Sequence, residues 1–218
     1  MNFDLSLYLV TDSTYHSEES FLDTIEQACK GGVTFLQLRE KDKGGLDYLN
    51  LALKVKKITD KYDIPLIIDD RIDIALAIDA SGVHVGASDI PVAYARKILG
   101  KDKILGATAK TVEVAKKAYA DGADYLGTGA IYPTTTKVVT VLTDVSTLDE
   151  ICNCVPIPVV AIGGLNEKNI DVLSRSPIDG IAVVSAIMKA ENPKQATRDL
   201  VAKIKSTIKS IPFKKERD

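Results

Sequence analysis

Pro65-Leu-Ile-Ile-Asp-Asp-Arg71 is an apolar, β-branched run that stops abruptly at two acids and a cation. A run this short, closed by such residues, reads as a buried strand with a polar carboxyl end. The same unit recurs along the chain. With Pro65–Ile68, the runs Leu7–Val10, Phe35–Leu38, Val83–Val85, Ile104–Ala107, Tyr125–Gly127, Val159–Ile162 and Ile181–Val184 make eight. None alternates strictly, as expected of strands covered on both faces of a parallel sheet. Just after them come Asp12, Arg39 with Lys41, Asp69 with Asp70, Asp89, Thr108, Thr134 to Lys137, Gly163 with Gly164, and Ser185. Chemically specialised residues at one end of every strand predict an α/β fold, a single-domain (β/α)8 TIM barrel, with its working face at those ends. An open doubly wound sheet is the fallback and places ligands at the same ends.

The intervening segments have helical length and amphipathic spacing. Ser17 is placed to cap a helix running to about Lys30. The others are expected over Leu46–Tyr62, Asp73–Asp79, Pro91–Leu99, Thr111–Ala120, Ser146–Ile151, Asn166–Ser174 and Pro193–Ser210. The barrel is expected to occupy residues 1–211, with 212–218 a charged tail. The longest irregular stretch, Tyr132–Thr143, has the length of a functional loop.

The 218 residues carry a net charge of −2, so no global field draws nucleic acid or an anionic membrane. An anionic substrate must instead meet a local cluster of donors. The cysteines, Cys29, Cys152 and Cys154, form no framework, and no Cys/His set completes a zinc site. The sequence shows neither a signal peptide nor an apolar run of spanning length, so a cytoplasmic protein is expected. Assembly as a homo-oligomer is left open.

Gln37, Arg39 and Lys41 alternate at strand spacing and share one side: an amide, a planar cation and a point cation. That set suits a diphosphate. Asp70 and Asp89 follow neighbouring strands. Taken singly, each reads more readily as a helix N-cap. As a pair beside a diphosphate cradle they suit a hard cation such as Mg2+. Thr134, Thr135, Thr136 and Lys137 could bind or close over a phosphate. Gly164 and Ser185 fall where barrels often hold a monophosphate on backbone N–H groups, although glycines there also serve tight turns. His84 reads as a core residue or a wall of the site, and neither it nor His16 belongs to a nucleophilic triad. Two anions and one divalent cation together suit the joining of a diphosphate ester to a phosphorylated nucleophile.

These motifs closely resemble the thiamine-phosphate synthase family over nearly the whole chain. The resemblance rests on Tyr8-Leu-Val-Thr-Asp12, Gln37-Leu-Arg-Glu-Lys41, Pro65-Leu-Ile-Ile-Asp-Asp-Arg71, Gly82-Val-His-Val-Gly86 with Asp89, Ala123-Asp-Tyr-Leu-Gly127, Pro133-Thr-Thr-Thr-Lys137, Val160-Ala-Ile-Gly-Gly164 and Val183-Val-Ser185. It implies coupling of hydroxymethylpyrimidine diphosphate to hydroxyethylthiazole phosphate, with release of pyrophosphate and a dissociative mechanism. It implies that Gln37, Leu38, Arg39, Glu40, Lys41, Asp69, Thr108 and Lys137 meet the pyrimidine diphosphate. Of these, Arg39, Lys41, Thr108 and Lys137 would be catalytic. Thr134, Thr135, Thr136, Gly164, Val184 and Ser185 would meet the thiazole phosphate, and Asp70 and Asp89 would hold Mg2+.

The chain departs from the family pattern at three positions. Asp69 stands where Asn is common, Thr108 where Ser is usual, and Ala87 where Gln is frequent. A thiazole tautomerase of the same fold would need a proton-transfer residue, often His, near the fifth strand, where this sequence has Lys110. A non-catalytic phosphate-binding relative is the other alternative, supported by Asp69 and Ala87.

Overall fold

The apolar runs form eight parallel strands that close into a barrel in sequence order, each hydrogen-bonded to the next and β8 to β1. The computed structural model describes residues 3–134 and 141–211. The strands are β1 Leu7–Val10, β2 Phe35–Leu38, β3 Leu66–Asp69, β4 Gly82–Val85, β5 Ile104–Thr108, β6 Tyr125–Thr128, β7 Val159–Ile162 and β8 Gly180–Val183. The expected barrel is therefore the observed fold, and the doubly wound alternative is excluded.

Around it lie α1 Glu18–Gly31, α2 Gly45–Lys61, α3 Ile72–Ala77, α4 Val92–Leu99, α5 Val112–Ala120, α6 Val145–Cys154, a 3-10 turn at Ile170–Leu173, α7 Ser185–Met188 and α8 Pro193–Thr207. Their ends follow local chemistry. The Ser17 hydroxyl accepts the Ser20 N–H (3.2 Å), with Glu18 and Glu19 in the first turn. Asn192 caps α8 through the Gln195 N–H (3.0 Å), just ahead of Pro193.

Two elements differ from expectation. The helix expected over Asn166–Ser174 is a single 3-10 turn, because asparagine side chains take the backbone partners. Asn169 Oδ1 accepts the Asn166 N–H (2.8 Å), Asn169 Nδ2 donates to Gly164 O (2.9 Å), and Asn166 Oδ1 accepts the Lys168 N–H (2.9 Å). Conversely, Ser185–Met188 folds as the short helix α7, which the apolar pattern did not reveal.

Two separate cores result. The larger lies between strands and helices and takes Leu9, Leu36, Leu38, Ile68 and Leu126. The smaller fills the barrel interior with Tyr8, Phe35, Ile67, Ile104, Tyr125 and Val160. The inner rings meet edge to face: Tyr8 and Phe35 lie 4.8 Å apart at 86°, and Phe35 and Tyr125 5.6 Å apart at 82°. Gly106 makes room for the Tyr125 ring, since a Cβ at 106 would lie 2.1 Å from Tyr125 Cζ. This plug seals the amino end of the barrel and leaves the carboxyl end hollow. Among the described residues no helix is long and apolar enough to cross a membrane.

Candidate active site

The hollow end is a cavity of about 340 Å3 lined from all eight strands, within the size range of small-molecule sites. Its first wall comes from β2 and the residues after it. Period-two alternation turns Gln37, Arg39 and Lys41 into the cavity. The same alternation turns the Leu38 and Glu40 side chains away from the cavity, which leaves only their backbone to face it. Leu38 is fully buried in the outer core. The Glu40 carboxylate accepts from Ser13 Oγ (2.7 Å) and pairs with Lys43 (3.5 Å), while burial pushes its pKa up.

The second wall comes from β3 and β4. Asp69, the last residue of β3, lies with Oδ2 3.0 Å from Lys41 Nζ and 3.8 Å from Arg39 Nε. The cations are thus already engaged by an internal carboxylate. Asp70 follows with φ of 60°, its N–H donating to His84 O (2.9 Å), and its carboxylate also meets Lys41. A left-handed backbone at a non-glycine residue is uncommon. Here it sends successive carboxylates to the same cation. Asp89 reaches the Asp70 carboxyl and accepts the Gly86 N–H (2.7 Å). Burial, the hydrogen bond with Asp89 and the charge of Asp69 push the Asp70 carboxyl up to about 7, against the opposing pull of Lys41. Asp89 moves the other way. Despite partial burial, hydrogen bonds from Asp70 and the Gly86 N–H hold it below the ordinary carboxylate range. The two carboxyls therefore oppose each other's ionisation.

The third wall comes from β7 and β8. Gly163 and Gly164 have φ of 106° and 65°, and a Cβ at 164 would lie 2.7 Å from Tyr132 Cβ and 2.8 Å from Pro133 O. Glycine is thus needed for both turn and close approach. Val184 and Ser185, at the start of α7, complete this wall with Thr134. Thr135, Thr136 and Lys137 lie outside the described residues, as does the tail 212–218.

The floor was only partly legible. Thr108 ends β5 and faces the cavity, where His84 Nε2 lies 3.0 Å from its Oγ1. His84 is both core residue and wall. Tyr8, Lys110 and Gly129 also line the cavity, and inward alternation along their strands was the signal that could have found Tyr8 and Gly129. Asp12, though it follows β1, instead closes its own turn through the Thr14 N–H (3.1 Å).

Cations, paired carboxylates and a glycine cradle on three walls of one cavity define a (β/α)8-barrel enzyme for small phosphorylated substrates. The comparison with known proteins refines this. The thiamine monophosphate synthase family model matches residues 7–187. Thiamine-phosphate synthase of Methanobrevibacter smithii is 56% identical over 205 residues, covering 94% of this chain and 98% of that protein. Thiamine-phosphate synthase 2 of Streptococcus pneumoniae is 53% identical over 204 residues, covering 94% and 97%. The solved thiamine phosphate pyrophosphorylase of Pyrococcus furiosus superposes with a TM-score of 0.85 at 36% identity, covering 93% and 96%. The chain belongs to the thiamine monophosphate synthase family.

Proposed function

We propose that the thiamine-phosphate synthase reaction of this chain joins 4-amino-5-hydroxymethyl-2-methylpyrimidine diphosphate to 4-methyl-5-(2-hydroxyethyl)thiazole phosphate, with the diphosphate on the β2–β4 walls and the thiazole phosphate on the β7–β8 wall. The observation that carries this reading is the convergence of Arg39 and Lys41, the Asp70–Asp89 pair and the Gly163–Gly164 cradle on one cavity. Arg39 and Lys41 stabilise charge as it develops on the leaving diphosphate, and the cavity holds the thiazole nitrogen near the methylene carbon being released. No strong base is required. Thr134, Gly164, Val184 and Ser185 orient the monophosphate. By resemblance to the family motif, Lys137 is assigned to the diphosphate and Thr135 and Thr136 to the thiazole phosphate.

Mg2+ suits the second wall. No cluster of three or more metal-type side chains occurs among the described residues. Mg2+ nevertheless commonly uses only one or two carboxylates, with waters and substrate phosphates completing its shell. Asp70 and Asp89, two hard carboxylates that meet on this wall, fit that role. When bound, the ion neutralises the diphosphate leaving group.

His84 does bring an imidazole to the fifth strand, the feature a tautomerase would need. Its tie to Tyr125 and the presence of both aspartates favour the synthase. The three cysteines are free, which supports a reducing cytoplasmic setting. The test is pyrophosphate release and thiamine phosphate formation by the purified protein. Product that requires both substrates and Mg2+ is expected. Substrate binding without product would overturn the assignment, and full activity in both Asp70→Ala and Asp89→Ala would remove the metal site.

A further inference from the structure

Beneath the cavity, five polar side chains from five strands form one continuous chain of hydrogen bonds. Gln37 Nε2 donates to Tyr8 Oη (2.7 Å), which lies 2.8 Å from Tyr125 Oη. Tyr125 Oη lies 3.1 Å from His84 Nδ1, and His84 Nε2 lies 3.0 Å from Thr108 Oγ1. Gln37, Tyr8, His84 and Thr108 line the cavity, whereas Tyr125 is fully buried.

The direction of this chain follows from its first member. An amide nitrogen only donates, so the Tyr8 oxygen accepts from Gln37. The Tyr8 proton then passes to Tyr125, because the reverse would leave a buried hydroxyl proton without a partner. Tyr125 in turn donates to His84 Nδ1. A neutral imidazole with Nδ1 accepting carries its proton on Nε2. Nε2 therefore donates to Thr108, whose own proton is left for a ligand. At the other end, the Gln37 amide leaves Oε1 as an acceptor. Burial raises the pKa of both phenols well above the ordinary value, so they remain neutral members of the chain.

We infer that Tyr8, Tyr125 and His84 are positioning residues that fix the hydrogen-bond polarity of the cavity floor, making Thr108 a donor and Gln37 an acceptor toward the heteroaromatic ring of the diphosphate substrate. This rests on the synthase reading above for the identity of the ring, but the polarity itself does not. A flat ring bearing both an amino donor and ring-nitrogen acceptors is the chemical class that such a floor orients. A ring lacking either feature meets a mismatched partner, and a buried mismatch is costly.

The test has two arms. The protein has two histidines, His16 and His84, so a two-bond 1H–15N spectrum of the ligand-free protein reads the His84 tautomer directly, with His16→Gln for assignment. Protonation at Nε2 is expected. Protonation at Nδ1 would mean that the Gln37 amide and the whole chain run in reverse, and would overturn the inference. This arm needs no turnover, so it stands apart from the success or failure of the synthase assignment. In the kinetic arm, Tyr125→Phe and Tyr8→Phe keep the rings but cut the chain. Each is expected to raise KM for the pyrimidine diphosphate by about tenfold, the scale of one buried hydrogen bond. KM for the thiazole phosphate should move less than about twofold by the same reasoning. An equal rise for both substrates would show a merely structural role and overturn the inference.

Discussion

Replacing Asp69 with Asn should tighten the diphosphate site. Asp69 Oδ2 sits 3.0 Å from Lys41 Nζ and 3.8 Å from Arg39 Nε, so the carboxylate occupies the cations that a diphosphate must recruit. A diphosphate oxygen held about 4 Å from that carboxylate would meet a repulsion of about 4 kcal/mol at an effective dielectric of ~20. The Lys41 side chain is 40% exposed, so solvent and the two cations screen much of this. Retaining roughly a third leaves about 1.4 kcal/mol, or about tenfold in affinity. Asparagine keeps the shape and an oxygen acceptor for Lys41 while removing the charge. The assay is initial rate against pyrimidine diphosphate at saturating thiazole phosphate and Mg2+, above pH 7. KM for the diphosphate should fall about tenfold, with little change for the thiazole phosphate. Because Asp69 helps to raise the Asp70 pKa, the acid limb of the pH profile should also move to lower pH. An unchanged or higher KM would refute the competition argument and make Asp69 a required ligand or an organiser of Lys41.

Arg39→Ala should weaken the pyrimidine diphosphate more than the thiazole phosphate, as isothermal titration of each would show; equal losses would contradict separate walls. Mg2+ binding should release protons near neutral pH, because the Asp70 carboxyl sits at about 7 and must ionise to bind the metal. Calorimetry in buffers of different ionisation enthalpy reads that number, and none released would count against the raised Asp70 pKa. In EDTA, the raised Asp70 pKa gives stability that is complete below its unfolded value of about 4 and lost as pH rises through about 7. Asp89, held low, loses its contribution only as pH falls below that window. Asp70→Asn should therefore flatten the fall in Tm between those values, and parallel curves would refute this. Arg96→Met should cost about 2–4 kcal/mol in urea unfolding without altering substrate KM. Arg96 ties Gly122 O (3.0 Å), Gly100 O (2.6 Å), Lys103 O (2.8 Å) and Asp124 Oδ2 (2.5 Å) together away from the cavity.

The strands were legible because burial on both faces leaves each one an uninterrupted apolar run. Asn166–Ser174 misled because its spacing is helical while its asparagines bond the backbone instead. Ser185–Met188 is too short to show a period. In the site, alternation along Gln37, Arg39 and Lys41 was readable from one strand. The same alternation sends the Leu38 and Glu40 side chains elsewhere, a consequence that motif resemblance alone passes over. The Tyr8–Tyr125 contact could not be read at all. The partners stand 117 residues apart and meet only because the barrel closes on a particular stagger.

The close fit of Gly106 to the Tyr125 ring, with 2.1 Å left for any Cβ, bears on how this lineage can change. Neither position can change its bulk alone without cost. A side chain at 106 collides with the ring, and a smaller residue at 125 opens a void and severs the contact to Tyr8. A change of bulk at one of the two positions has to be matched at the other. At the rim, Asp69 is bound to Lys41 and Arg39 by charge rather than by steric fit. The base of the cavity is thus governed by shape and its edge by charge, so changes of the two kinds act on different parts of one site.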